Sequence, residues 1–542
     1  MPDLLLGPIL RHVDETSATV WVETDQPCTV EVLGCAERTW CVAGHHYALV
    51  LVTGLPPGAS TPYQVHLDRV RAWPDDDSRF PPSRIRTLAP GRTMRLLFGS
   101  CRYASPRGEA TSGKFGVDAL DAFAERMARA PGDAWPDALL LLGDQVYADE
   151  TSPRTAARIR RRRDVSRSPG TQVANFEEYT TLYQESWTDP QVRWLLSNLP
   201  SSMIFDDHDV HDDWNTSAAW RDEMGRTGWW PERIVGGLIS YWVYQHLGNL
   251  HPDALAADEL YQRVRAATDG EPLLREFAVA ADREADGAKG AQWSYRRDFG
   301  RVRLLVIDSR CGRILVEGGR SMVSKAEFEW IESQTDGDYD HLLIGTSLPW
   351  LLPRAVHDVE SWDEALCEPA RRRWVRRFGE WLRRYADLEH WAAFRQSFDR
   401  LAAMLARVGR GEHGHRPPAT VAVLSGDVHH AYVAEAHYPQ PVQSRIYQLV
   451  CSPIHQGVPA SMRHGFRIGW SRPAEWLVRR LGRRIGVPPL PLRWNPAAGP
   501  FFGNQLATLT IAGRRSHLLV ERAETVGSGD VGMITTIDVD LS

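Results

Sequence analysis

The pattern of hydrophobic and polar positions changes character once along this chain, near residue 90. Before that point short segments alternate, among them Ala18–Val22, Thr29–Leu33, Ala48–Val52 and Tyr63–Leu67, with Pro56-Pro57-Gly58 supplying turn chemistry. A period of two broken by turns predicts a small antiparallel sandwich with one apolar and one polar face, acting as a scaffold for the domain after it. Pro81-Pro82 and Pro90-Gly91 bracket the junction. After Arg95 continuous apolar runs take over: Leu96–Gly99, Ala138–Leu142, Met203–Phe205, Val302–Ile307, Leu342–Gly345, Thr420–Leu424 and Ile446–Val450. Runs of this length are strands buried on both faces. Helical spacing separates them, as at Val117, Leu120, Phe123 and Met127, and Ser324 with Glu327 forms a capping box for a helix through Ile331. Strands alternating with helices predict an α/β domain. The stretches 222–291 and 363–414 read as helical insertions without evident chemistry.

The predicted strands end in polar residues. Leu96–Phe98 runs into Gly99-Ser100-Cys101-Arg102, the Ala138–Leu142 strand into Gly143-Asp144 and then Tyr147, and Met203–Phe205 into Asp206-Asp207-His208-Asp209. Val302–Ile307 ends in Asp308-Ser309-Arg310, and Val421–Leu424 in Ser425-Gly426-Asp427-Val428-His429-His430. Open α/β sheets bind ligands at the carboxyl ends of their strands. Singly, each residue has a plainer reading: an Asp after a strand caps or turns, and a buried Cys packs. Together, carboxylates, a thiol, a phenol and imidazoles mix hard and soft donors, which suits a transition metal beside a harder cation with one carboxylate bridging. Two such ions hold a phosphoryl group and generate hydroxide, so the chemistry indicated is hydrolysis of a phosphate ester.

Composition narrows the class. With 542 residues the chain exceeds one ordinary core. A formal net charge of −6 argues against general nucleic-acid binding, and Arg158–Arg163, a basic run, reads as a solvated face. The seven cysteines show no paired spacing, as expected of reduced thiols. No apolar run approaches the ~20 residues of a membrane span and no signal peptide is visible, which predicts a cytoplasmic location. The 21 tryptophans include Trp229 and Trp230, which with Tyr241, Trp242 and Tyr244 are expected in the core. The Arg-, Trp- and Pro-rich stretch 465–502 either covers a site or completes the domain.

In this order GSC, GDQVY, DDHD and SGDVH resemble the motifs of PhoD-like alkaline phosphatases, within the calcineurin-like metallophosphoesterase superfamily. The resemblance implies an αββα metallophosphoesterase sandwich over 91–525, preceded by a fibronectin III-like β-sandwich over 1–90 and followed by a C-terminal tail over 526–542. It implies metal-dependent hydrolysis of small phosphate esters, monoesters and/or diesters, by a metal-bound hydroxide. Cys101, Asp144, Tyr147 and His429 match ferric iron ligands, with Asp144 the bridge. Asp207 and Asp427 match ligands of a second metal, calcium by donor type, with Asp212 or Asp213 completing its shell; manganese, magnesium or zinc stand as alternatives. His208 takes the role of general acid, or else orients Asp207. Arg310 would grip phosphate through its planar fork, with Arg102 a second. His211 and His430 are expected to be structural, and Thr346-Ser347 stands where many metallophosphoesterases have a ligand histidine. A different class, a binding protein with a vestigial site, would show no bound metal and no hydrolysis.

Overall fold

The computed structural model describes residues 1–104, 112–286, 291–412, 416–458, 460–526 and 530–542. Two sheets make up the larger part. One runs in the order Ser201–Ile204, Ala138–Leu142, Met94–Gly99, Gln505–Ala512, Arg515–Val526, Asp530–Asp540. Its first three strands are parallel and the rest antiparallel. The other runs Tyr295–Phe299, Val302–Ile307, His341–Thr346, Thr420–Ser425, Arg445–Val450, Ala431–His437, Arg493–Phe501, with the four consecutive strands from Val302–Ile307 to Arg445–Val450 parallel.

The sheets stack face to face: a side chain on Gly345 would meet Leu142 and Leu140 across the gap at 3.4 and 3.5 Å. Strand pleating sorts the rest. Leu304, Val306, Ala422, Leu424 and Leu449 enter the core between the sheets. Their neighbours Leu305, Ile307, Val421, Val423 and Ile446 turn outward into a second core, under helices that supply Phe328, Phe398 and Leu405. Both faces are thus apolar, which is why these strands read as continuous runs. The fold is the expected one: mixed α/β, two sheets between helices, with an antiparallel β region ahead of it.

That leading region holds two four-stranded sheets, Leu4–Val13, Ala18–Thr24, His45–Val52, Trp40–Val42 and Cys35–Arg38, Thr29–Val32, Val65–Leu67, Val70–Trp73. Val20, Val22, Val30, Val32, Val50 and Val52 meet between them. The polar outer face expected of the first sheet is not there. All seven residues of Ala18–Thr24 are buried, and Trp21 points away from the sandwich onto Tyr244 and Trp187, ring centroids 5.3 and 6.5 Å away. The α/β domain covers this face, so its residues belong to the large common core. The aromatics Tyr241, Trp242 and Tyr244 are buried in it, as expected.

The expected tail over 526–542 holds a strand instead. Asp530–Asp540 pairs antiparallel with Arg515–Val526, from Asp530 beside Val526 to Asp540 beside His517. As an outer strand with many exposed positions it lacks the apolar alternation that would mark it in the sequence. The capping box is half formed: Ser324 Oγ accepts from Glu327 N at 3.3 Å, but the Glu327 side chain accepts instead from Ser294 Oγ. Arg158–Arg162 lies on the Pro153–Arg162 helix with Arg158, Arg160, Arg161 and Arg162 exposed.

Candidate metal centre

The carboxyl ends of the parallel strands converge, and their loops are tied to one another before any ligand is considered. Cys101 N donates to Gly143 O at 3.1 Å and Arg102 N to Asp144 O at 3.0 Å, joining the first two loops. Asp209 joins the next pair: its carboxylate accepts from the backbone N–H of Asp144, Gln145 and Val146 at 3.0–3.2 Å and of Asp206 at 2.9 Å. Ser100 Oγ accepts from Asp427 N at 3.1 Å. Close approach explains two glycines. A Cβ on Gly143, where φ is +102°, would lie 2.6 Å from Asp206 Cβ, and one on Gly426 would collide with Ser100 Oγ at 1.9 Å. Left-handed backbone recurs at Cys101 (φ 58°), Asp144 (52°), Asp427 (60°) and His429 (49°). Such conformations are costly for residues with side chains and cluster at functional sites.

Ligand-type atoms within 4.8 Å of one another form two groups among the described residues: Asp144, Asp206 and Asp207, and Asp207, His208 and Asp212. Asp207 is common to both. Asp144 is 1% exposed and neither of its carboxylate oxygens has a hydrogen-bond partner. Burial, then Asp207 and Asp206, push its pKa far above the usual carboxylate range, against the pull of His208. Burial followed by neighbouring carboxylates likewise raises the Cys101 thiol and the Tyr147 phenol. A cluster in which Asp144, Cys101 and Tyr147 are all pushed toward their neutral forms carries a demand for positive charge. A bound cation would answer it and favour the deprotonated form of all three, so the residues fit a metal centre.

His208 stands beside this cluster with Nδ1 3.0 Å from Asp149. Burial alone would lower its pKa, but Asp149 and Asp207 raise it well above the ordinary value, which favours the imidazolium. Its centroid is 4.8 Å from that of Tyr147. His429 is the opposite case: burial lowers its pKa to about 4, leaving a neutral imidazole suited to ligation. Cys101 and His429 fall in neither compact group; Cys101 Sγ instead lies 3.8 Å from Asp427 O. Asp212 joins Asp207 and His208, whereas Asp213 joins neither group. His430 is buried, with Nδ1 2.6 Å from Val428 O, and His211 Nδ1 lies 2.7 Å from Asp212 O.

Two expectations are corrected. Arg310 is fully buried, with Nε donating to Asp206, Nη1 to Glu389 at 2.6 Å and to Trp214 O at 3.3 Å, and Nη2 shared between Glu389 and Asp207. Its fork is saturated by protein groups and has no donor left over for a phosphate. Arg102, also buried, donates to Asp118 Oδ2 at 2.8 Å and to Ser186 O at 2.8 Å; it fastens the first loop to the helix that starts after Asp118. Conversely, the 363–414 stretch does carry chemistry. His390 Nε2 lies 2.9 Å from Asp427 Oδ2 and Nδ1 2.7 Å from Glu360 Oε1. Burial would lower the His390 pKa, but Glu360 and Asp427 raise it well above normal, and the hydrogen bond from His390 helps hold Asp427 at about 2 despite burial. Trp391, the next residue, donates Nε1–H to Thr346 Oγ1 at 3.2 Å.

A family model described as PhoD-like phosphatase matches residues 114–265, and one described as Domain of unknown function (DUF7800) matches residues 1–85. No curated protein sequence matches the chain. Among solved structures, one titled Structure of PhoD aligns with TM-score 0.59 at 12% identity, covering 99% of this chain and 92% of its own. A purple acid phosphatase, PPD1 from yellow lupin (Lupinus luteus) seeds, aligns with TM-score 0.46 at 12% identity over 97% of this chain and 74% of its own.

Proposed function

We propose that this chain, a PhoD-like phosphoesterase, hydrolyses small phosphate esters at the cluster around Asp144 and Asp207. The observation that carries the reading is the pair of buried, unpartnered oxygens of Asp144 facing Asp206 and Asp207. Asp144, Asp207 and Asp212 offer oxygen donors suited to a hard cation such as calcium. Cys101, Tyr147 and His429 with Asp144 would hold a softer cation such as ferric iron, and Asp427, kept ionised by His390, would add a further oxygen donor. Bound there, such ions would neutralise phosphoryl oxygens and supply a nucleophilic oxygen at neutral pH.

The chain's own residues do the remaining work. His208 donates Nδ1–H to Asp149, and as an imidazolium it has a second proton, on Nε2, to give to the leaving alkoxide. Arg310 fixes Asp206 and Asp207 in place, and His390 fixes Asp427. The test is an assay of the purified chain on 4-nitrophenyl phosphate and bis(4-nitrophenyl) phosphate, before and after chelation. Turnover of at least one ester, lost with the chelator and restored by added metal, is expected. No turnover of either ester with metal bound would sink the reading.

A further inference from the structure

Just ahead of the link that carries Glu389 and His390, the Arg373–Tyr385 helix (RWVRRFGEWLRRY) carries five arginines against one glutamate. Trp374, Phe378, Trp381 and Tyr385, spaced by four, three and four residues, fall on one side of a 3.6-residue helix. They are 67%, 44%, 56% and 73% exposed, and Trp381 and Tyr385 stack with centroids 5.2 Å apart. The stripe is not a failed core face, because the helix buries its opposite side. Gly379 sits so tightly on the Arg354–Cys367 helix that a Cβ there would lie 2.6 Å from Cys367 Sγ, and Arg383 is buried on Glu317 at 2.7 Å. Arg373 and Arg377 lie exposed on one flank of the stripe.

The Arg472–Arg484 helix (RPAEWLVRRLGRR) repeats the composition, again five arginines to one glutamate. Trp476 is 62% and Leu477 52% exposed. This helix also packs on Arg354–Cys367, through Arg479 to Asp358 at 3.1 Å and Glu475 to Arg354 at 2.8 Å. Arg371, just ahead of the first helix, donates to Ile485 O at the end of the second. Two cationic, aromatic-bearing helices thus flank a common support, on a chain whose net charge is −6.

We propose that these two helices form a docking surface for an anionic lipid membrane, which the chain meets peripherally. Exposed Trp and Tyr rings have an apolar body and a polar tip that suit the headgroup level. Arginines beside them keep their stems on the apolar layer and their heads on lipid phosphates. This is the composition of a helix lying in the interface; no helix among the described residues is long and apolar enough to cross a membrane. A second copy fits less well, since a two-fold contact would set each arginine row against itself. Single-stranded nucleic acid would find no stacking partner in Leu477, Leu481 or Ile468, which are exposed with the aromatics.

The test is co-sedimentation of the full chain with vesicles of phosphatidylcholine alone and of phosphatidylcholine mixed with phosphatidylglycerol. Binding to the mixed vesicles only, weakened by salt, is expected. Trp374→Ala/Trp381→Ala and Arg373→Glu/Arg377→Glu should each lower partitioning at least about tenfold, with thermal midpoints unchanged because all four side chains are exposed. The proposal is overturned if wild-type chain ignores anionic vesicles or if the variants bind as well as wild type. It is equally overturned if the surface instead makes a dimer or retains a single-stranded oligonucleotide, with those substitutions abolishing that association and not vesicle binding.

Discussion

Arg310 places its guanidinium between Asp206, Asp207 and Glu389 with no exposed atom, so its removal is first a question of stability. Arg310→Met leaves three buried carboxylates short of their counter-charge, a change that costs about 3–5 kcal/mol when one partner of a buried pair is lost. Thermal unfolding should show that loss. A variant with wild-type stability and only a raised KM would return Arg310 to the substrate-gripping role expected from the sequence. His208 predicts a different signature. His208→Gln should lower kcat by about 10²–10⁴-fold on an alkyl phosphate, and less on 4-nitrophenyl phosphate, whose leaving group needs no proton. Equal losses on both substrates would contradict a general acid and favour a role in orienting Asp207.

At the scale of elements, the strand-end loops behave as one unit because Asp209 collects four backbone N–H groups from two of them. Asp209→Ala should therefore weaken metal binding by about 10–100-fold, as loss of a supporting group around a metal site does, although Asp209 belongs to neither compact ligand group. Metal titration followed by calorimetry would measure it; unchanged affinity would show that the loops hold their shape without this anchor. The elements themselves were legible in the sequence where burial on both faces makes strands continuous apolar runs, and where a polar cluster follows each run. Asp144, Asp207 and His208 were found that way. Glu389 and His390 were not, because they lie in an irregular link after a helix, where no periodicity marks them and only the fold carries His390 to Asp427. The saturation of Arg310 and Arg102 was equally invisible, since a motif gives a residue's position on the chain and not how many carboxylates surround it. The last strand escaped notice for want of a buried face.

Over the whole molecule, the leading sandwich is bound to the α/β domain by a shared core and by ion pairs, one of which is a titratable pin. His45 lies 3.0 Å from Glu23 and 2.9 Å from Glu177, which belongs to the Phe176–Trp187 helix. Burial opposes its charge, but the two carboxylates raise its pKa to about 9, against 6.5 for a free histidine. A folded-state pKa above the unfolded one means that the contribution is complete below about pH 6.5 and is lost as pH rises toward about 9. The wild-type thermal midpoint should fall across that window more than that of His45→Gln; parallel pH profiles would show that the pin contributes nothing. The central claim concerns the strand-end cluster, where Asp144 presents two buried oxygens that no protein group satisfies. Elemental analysis of wild-type and Asp144→Asn chains, with aryl phosphate turnover measured on the same preparations, tests it most directly. The expected result is bound metal and turnover in the wild type, with metal content reduced and turnover lowered at least about 100-fold in the variant; equal metal and equal turnover in both would contradict the account.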